Sequence, residues 1–452
     1  MNSNIRCPRC GFVGNPLAFE TRRVHVFIKR SYCFRCLYES ADRKARDVAV
    51  FWTIALIVIG IAATTLLLLD RNGPLGWSLA TLTFVILFSP LCTAAHEAGH
   101  VIAAKILGFE VFEVNLGSGG QAWSGRIAGV SVVLKRFPFS GATIAASRTP
   151  KLIRIRRLVF LLGGPAVNLG LVAGYLASAS PAFSGAPTTL LVAAGSGFLW
   201  TNLLQFAGNL MPFYAHSAYG RVPSDGLGLL LTSVANRDTR KLWVVGYYTS
   251  AWHFARSSGD KQAALHWAEA GIAAFPDSAL LINALAVSLI DVGMLGPARD
   301  QFSRLTEEKG QDARGILIAK NNVAYCDCLL EANLAQADRY SSEIVGVFPW
   351  QPHFNGTRGA VLLGMGRAND AVEFLEKAIH LHTDNAARWE AACFLAIAHA
   401  DLGDRARARE YLDLARDLDA DNIVLARARR ALADKDPVRS GEPLGEGSRS
   451  SA

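Results

Sequence analysis

The sequence predicts a mainly α-helical chain organised around a polytopic membrane core of about four spans. A small membrane-associated β-sheet interrupts that core, a cysteine-bearing module precedes it, and a helical solenoid follows it. Three observations carry this prediction. The chain has 452 residues, long for one compact domain, with 51% hydrophobic residues and only 19% charged, below the ~25% usual in soluble domains. Its mean hydropathy is +0.23. The apolar residues are concentrated between about 48 and 234, whereas from 239 onward the chain is polar and periodic. Eight cysteines are too sparse for a disulfide scaffold. The composition also excludes a wholly disordered, collagen-like or coiled-coil chain.

Residues 48–69 form 22 positions without a charge, ~33 Å as a helix and enough to cross a ~30 Å hydrocarbon core. A removable signal peptide fits poorly, because 47 residues bearing charges and cysteines precede the stretch. Further spans are expected at about 78–107, 158–178 and 190–212. The competing reading, buried helices of a soluble protein, accommodates four such stretches badly. Residues 1–47 hold ten Lys/Arg against four Asp/Glu, and 105–157 hold nine against two. The loop between the first two spans has only Asp70 and Arg71. The positive-inside rule then places both termini in the cytosol, in a multi-pass protein of the bacterial cytoplasmic (inner) membrane. The basic flanks read as topology signals, and a nucleic-acid partner is not expected.

Cys7-Pro-Arg-Cys10 and Cys33-Phe-Arg-Cys36 are two CxxC pairs. Four thiolates on two tight turns can close a tetrahedral shell around a structural Zn2+. Residues 1–47 are therefore expected to form a zinc ribbon, with a hairpin around Val24, Val26 and Ile28 between the knuckles. Redox-active pairs are the alternative, but no βαβ pattern surrounds them. Cys92, Cys326, Cys328 and Cys393 show no ligand spacing and read as buried thiols.

Inside the second span lies His96-Glu97-Ala98-Gly99-His100. Histidines at i and i+4 share a helix face, so both imidazoles can reach one catalytic Zn2+, and Glu97 can take a proton from water at the metal. Three such residues at membrane depth cost several kcal/mol, at least ~2.5 for the acid alone, and persist where they ligate or relay protons. With a cytosolic exit near Lys105, His96 sits ~14 Å below that surface. A third ligand is expected from another cytosolic helix end. Asp225, beside the tight-turning Gly226, is the candidate, and His216 is the competitor. Between the second and third spans, Val111, Val114 and Leu116, then Val130, Val132 and Leu134, alternate like strands, with glycines at 117, 119, 120, 125 and 129 as punctuation.

Over residues 78–235 these motifs resemble the site-2 protease family of intramembrane zinc metalloproteases. The resemblance rests on HEAGH at 96–100, the glycine-rich segment with Pro-Phe-Ser-Gly at 117–141, Gly163-Gly164-Pro165-Ala166-Val167-Asn168, and Asn209-x-x-Pro212 with Asp225-Gly226. It implies His96, His100 and Asp225 as zinc ligands and Glu97 as general base. It implies Asn209, and similarly Asn168, as residues that position the substrate or polarise its carbonyl. It also implies a β-sheet dipping into the cytosolic leaflet. There an edge strand could hold an unwound transmembrane segment by β-addition. The cytosolic loop is too short for the PDZ domain that many such proteases carry. One departure stands out: the Asn-x-x-Pro and Asp-Gly elements usually lie a few residues apart, and here residues 213–224 intervene.

From 239 to 434 a turn glycine, an alanine five residues on and a large apolar residue four further recur. The aligned alanines are Ala264, Ala298, Ala337, Ala371 and Ala408, a period that resembles tetratricopeptide repeats. An ordinary helical bundle is the alternative. Such repeats would bind a cytosolic protein or peptide partner. The tail, 435–452, has no apolar period and is expected to be disordered. The function expected is zinc-dependent cleavage of a transmembrane or membrane-proximal segment of a membrane protein. A catalytically silent membrane scaffold working through its repeats is the alternative.

Overall fold

The computed structural model describes residues 5–8, 10, 12–25, 28–33, 54–55, 57–70, 73–178, 189–217, 220–307, 312–381, 385–416 and 422–434. The fold is mainly helical. It divides into two compact units, one of residues 36–275 and the other of 1–35 together with 276–452.

In the 36–275 unit, three helices among the described residues are long and apolar enough to cross a membrane: α2 (Pro74–Ile106), α3 (Ile153–Ser178) and α4 (Leu190–Leu210). Four spans were expected. Of the first, α1 (Ile57–Leu69) is a shorter apolar helix, and residues 48–53 and 56 lie outside the described residues. Large apolar side chains are exposed along the three long helices, among them Leu82, Leu91, Leu169 and Leu204. That pattern suits lipid better than water. Each helix begins where its sequence permits. Pro74 opens α2, where a missing N–H costs nothing, and the Thr189 side chain caps α4 by accepting from Val192 N. α2 ends where Gly108 turns left-handed at φ +68°, with Phe109 N donating back to Ala104 O.

α2 and α3 cross through glycines. A Cβ on Gly99 would lie 2.4 Å from Gly163 O, and one on Gly163 would lie 2.7 Å from Gly99 O. Only hydrogen at both positions permits this approach, which brings the next turns of the two helices together.

Between α2 and α3 the chain forms β5 (Glu110–Ile127) and β6 (Val130–Ala146). This long hairpin folds back on itself. Glu113–Leu116 pairs with Gly141–Ile144 on one side and with Ser131–Leu134 on the other. The sheet therefore runs in the order 121–127, 130–135, 110–118, 137–146. The 137–146 edge has no further strand beside it among the described residues.

After α4, β7 (Tyr214–Ser217) pairs with β8 (Gly220–Pro223), and α5 (Asp225–Ser233) follows at once. Next come α6 (Arg237–Ser257) and α7 (Lys261–Ala274). α6 packs on the sheet: Phe112 stacks on Phe254 with ring centres 5.6 Å apart, and the Tyr247 hydroxyl donates to Glu110 Oε2 at 2.7 Å. Burial, reinforced by that carboxylate, pushes the Tyr247 phenol up to about 12.

In the other unit, β1 (Ile5–Arg6) pairs with β2 (Val13–Gly14), and β3 (Phe19–His25) pairs with β4 (Ile28–Cys33). The second of these is a hairpin at the place expected between the cysteine pairs. Eight helices then pair in antiparallel succession, and a ninth closes the array. They are α8 (Ala279–Asp291), α9 (Leu295–Glu307), α10 (Ala313–Leu329), α11 (Leu334–Val347), α12 (Pro352–Gly364), α13 (Ala368–Leu381), α14 (Asn385–Asp401), α15 (Arg405–Leu414) and α16 (Ile423–Asp434). This is a repeat solenoid. Ala298, Ala337, Ala371 and Ala408, and Ala264 in α7, are all 0% exposed, as small residues must be where paired helices touch. The turn glycines 259, 293, 366 and 403 have φ between +74° and +81°. The repeat that lacks one bends instead through Glu331 (φ 53°) and Asn333 (φ 50°). The 435–452 tail lies outside the described residues.

Candidate metal centre

His96 and Glu97 are neighbours on α2, with His100 one turn further on, and the three are 4%, 5% and 5% exposed. Opposite them stands Asp225, the first residue of α5. Its Oδ2 lies 3.1 Å from His96 Nε2 and 3.3 Å from His100 Nε2, and the two Nε2 atoms are 3.2 Å apart. All three ligand atoms fall within 4.8 Å of one another.

What lies behind the rings decides what this cluster can bind. His96 Nδ1 is 2.6 Å from Asn168 Oδ1, and His100 Nδ1 is 2.9 Å from the Phe160 carbonyl. A carbonyl only accepts, so His100 carries its proton on Nδ1. The same follows for His96 once the Asn168 amide is oriented. Asn202 Nδ2 donates to Phe198 O at 3.0 Å, so Asn202 Oδ1 is the atom that accepts from Asn168 Nδ2 at 2.9 Å. That leaves Asn168 Oδ1 facing the histidine. Gln205 is oriented in the same way, its Nε2 donating to Ser89 O (3.1 Å) and Thr93 Oγ1 (3.0 Å). Backbone carbonyls thus fix the polarity of the network behind the rings, and both imidazoles, with a proton on Nδ1, direct Nε2 at the Asp225 carboxylate. Three such atoms within 3.3 Å of one another call for a cation between them, either a metal ion or a proton carried on an Nε2. Two imidazoles and a carboxylate are a donor set suited to Zn2+ with an open fourth position. The α3 backbone leaves room for it. A Cβ on Gly164 would come within 2.5 Å of both Nε2 atoms.

The Glu97 carboxylate lies between the cluster and the sheet edge. Its Oε2 accepts from Thr143 Oγ1 at 2.6 Å, and a Cβ on Gly141 would lie 2.3 Å from its Oε1. The 137–146 edge thus runs directly past the carboxylate.

The segment 213–224, which separates Pro212 from Asp225, closes on itself as the β7–β8 hairpin. Ser224 N donates to Phe213 O at 2.9 Å, Phe213 N donates to Ser224 Oγ at 3.2 Å, and Ser224 Oγ donates to Met211 O at 2.6 Å. The insertion therefore leaves and rejoins the chain at one point, and Asp225 follows Met211–Phe213 in space. Gly226 matters differently from the tight turn expected of it. It lies in α5 against the end of α4, where a Cβ would meet Leu210 O at 1.8 Å.

The structure brings together His96, His100, Asp225, Glu97 and Asn168. Asn168 stands behind the His96 ring. It is 0% exposed, with its Oδ1 2.6 Å from His96 Nδ1. Asn209, half-buried near the end of α4, makes no side-chain hydrogen bond among the described residues. His216 lies in β7 in register with Arg221, and its side chain is outside the described residues. Sequence reasoning missed Thr143, Asn202, Gln205 and the Phe160 carbonyl. The one available signal was polar side chains recurring within otherwise apolar spans.

In the other unit the thiols of Cys7, Cys10 and Cys33 also gather within 4.8 Å of one another, with Cys10 Sγ 3.6 Å from Cys33 Sγ. Cys36 is outside the described residues. Burial pushes Cys326, Cys328 and Cys393 each up to about 12.

No protein-family model matches the chain, and no curated protein matches it. Among solved structures it is similar to a thermophilic TPR protein of Thermus thermophilus, at 19% identity over 42% of this chain and 99% of that one, with a TM-score of 0.34. It is also similar to MamA of Desulfovibrio magneticus, at 12% identity over 42% and 97%, with a TM-score of 0.29. A third is BtubC of P. vanneervenii, at 16% over 48% and 89%, with a TM-score of 0.31. At such scores the repeat architecture rests on the helix pairing itself.

Proposed function

We propose that the chain is a zinc-dependent intramembrane endopeptidase of the site-2 protease kind, which cleaves a transmembrane or membrane-proximal segment of a membrane protein. The observation that carries this reading is the convergence of His96 Nε2, His100 Nε2 and Asp225 Oδ2, with Glu97 next to His96 in the chain. A bound Zn2+ would supply Lewis acidity toward a peptide carbonyl and toward water. Glu97 takes the proton of the attacking water and later delivers it to the leaving amine, as a carboxylate at i+1 of the ligand pair can. Thr143 holds Glu97 Oε2 in position. Asn168 and the Phe160 carbonyl hold the two imidazoles in the ligating tautomer.

The 137–146 edge is suited to present the substrate. A helical substrate shields its own amides, and an unwound segment could pair along this edge and pass Glu97. In this reading α2–α4 lie in the bacterial cytoplasmic membrane with the metal reached from the cytosol. The N-terminal thiols hold a structural Zn2+, and the repeats bind a cytosolic protein. The closure of 213–224 into a hairpin lets Asp225 follow Met211–Phe213 directly in space, which supports this reading.

Glu97→Gln is expected to keep zinc and fold while losing cleavage of a reconstituted transmembrane substrate by about 10²-fold or more. Cleavage at the parent rate would sink the mechanism.

A further inference from the structure

A second cavity lies one turn from the metal ligands' supports and is not used by the chemistry above. It has a volume of about 370 Å3 and is lined by Arg157, Pro223, Gly228, Thr232, Asn236 and Trp243, among others. Arg157 sits on α3 one turn before Phe160, whose carbonyl holds His100. Gly228 and Thr232 lie on α5 one and two turns after Asp225, and Gly228 meets Leu161 at the α3 contact.

The cavity is built for an anion. Arg157 Nε is shut off from solvent and has no hydrogen-bond partner, and no carboxylate pairs with its guanidinium among the described residues. Its Cζ instead lies 4.8 Å from the centre of the Trp243 ring. No lining residue is acidic. Asp238, on the first turn of α6, is exposed and outside the lining. Asn236 caps α6 and Thr239 completes its first turn, so the positive end of a 21-residue helix opens on the same space. A half-buried guanidinium whose Nε has no partner, with no carboxylate beside it among the described residues, is stabilised by a ligand with fixed negative charge. The remaining walls, Pro223, Leu231, Val234 and Ala235, are apolar or small, which suits a ligand with a hydrocarbon part. The site also lies at the basic end of a 26-residue apolar helix, the level of phospholipid phosphates, beside a tryptophan of the kind that sits there.

We propose that this cavity binds the phosphate of an anionic headgroup, supplied by a phospholipid of the adjacent leaflet. Occupancy braces the α3–α5 contact that places Asp225. The proposal rests on membrane insertion of α3 and not on the peptidase reading.

The test is native mass spectrometry of the full chain in detergent with dioleoyl phosphatidylglycerol, dioleoylglycerol or inorganic phosphate. One phosphatidylglycerol retained per chain, no dioleoylglycerol, and occupancy about tenfold lower in Arg157→Gln is the expected result. Exposed Arg154→Gln, on the same helix, should retain the lipid. Equal retention by the parent and Arg157→Gln overturns the proposal. Binding of inorganic phosphate without the lipid overturns the lipid source and leaves a free-phosphate site. If Arg157→Gln does not fold, Arg157→Lys decides: it keeps the charge but loses the two-pronged donor, and undiminished retention there also overturns the proposal. The readout is a bound mass, so a chain that cleaves nothing can still pass.

Discussion

Replacing Asn168 by alanine tests whether the network behind the metal ligands does what its geometry implies. The change removes the acceptor 2.6 Å from His96 Nδ1 and the donor 2.9 Å from Asn202 Oδ1, in a place with no exposure. His96 then keeps a buried N–H without a partner, which costs ~1–3 kcal/mol, or moves its proton to Nε2 and loses the ligating lone pair. Either route weakens metal binding by about 10- to 100-fold, the usual effect of removing such a partner, or ~1.4–2.7 kcal/mol. The assay is zinc competition against a chromogenic chelator on the full chain carrying Cys7→Ser and Cys10→Ser, which silences the other thiol cluster. Asn168→Asp keeps an acceptor toward Nδ1 and should lose less. Zinc affinity in Asn168→Ala within twofold of the parent, with helix content unchanged, would refute the orienting role.

Two further predictions come from other parts of the chain. Gly164→Ala places a methyl 2.5 Å from both Nε2 atoms, so the rings must retreat by about 0.5–1 Å. The same competition assay should then show zinc affinity down by at least about tenfold, and an unchanged affinity would mean that α3 is not the wall of the site. In the repeats, Cys326, Cys328 and Cys393 are held up at about 12 from an ordinary 9.0. At pH 9 about one part in a thousand of each is thiolate, against half for an ordinary thiol. Because the folded state favours the protonated form, this contribution to stability is present below pH 9 and lost as pH rises toward 12. Iodoacetamide at pH 9 should leave all three unmodified in the native chain and label them in denaturant, as read by mass. Native labelling at the denatured rate would contradict their burial.

How much of this was legible in the sequence depended on distance along the chain. The HExxH pair and the glycine–alanine repeat are local: their spacing is the helical period, so their geometry follows from residue type and count alone. Asp225 was legible only as a residue of suitable type at a suitable boundary. The inserted 213–224 segment looked like an obstacle because length alone does not reveal that a loop's ends meet. What settles that is a serine, Ser224, which caps α5 while bonding both Met211 and Phe213. The ring behind the ligands was not legible at all. His96 and Asn168 are 72 residues apart, Asn168 and Asn202 are 34 apart, and Glu97 and Thr143 are 46 apart. Each is an ordinary polar residue until the glycine crossing at Gly99 and Gly163 brings the helices into register. The orientation of Asn168 depends in turn on a main-chain carbonyl at Phe198, and a backbone atom leaves no mark in a residue pattern. The same holds for the Phe160 carbonyl behind His100. Half of what holds the two imidazoles is therefore main chain, and it can be altered by mutation only through residues that set the helix positions, such as Gly99, Gly163 and Gly226.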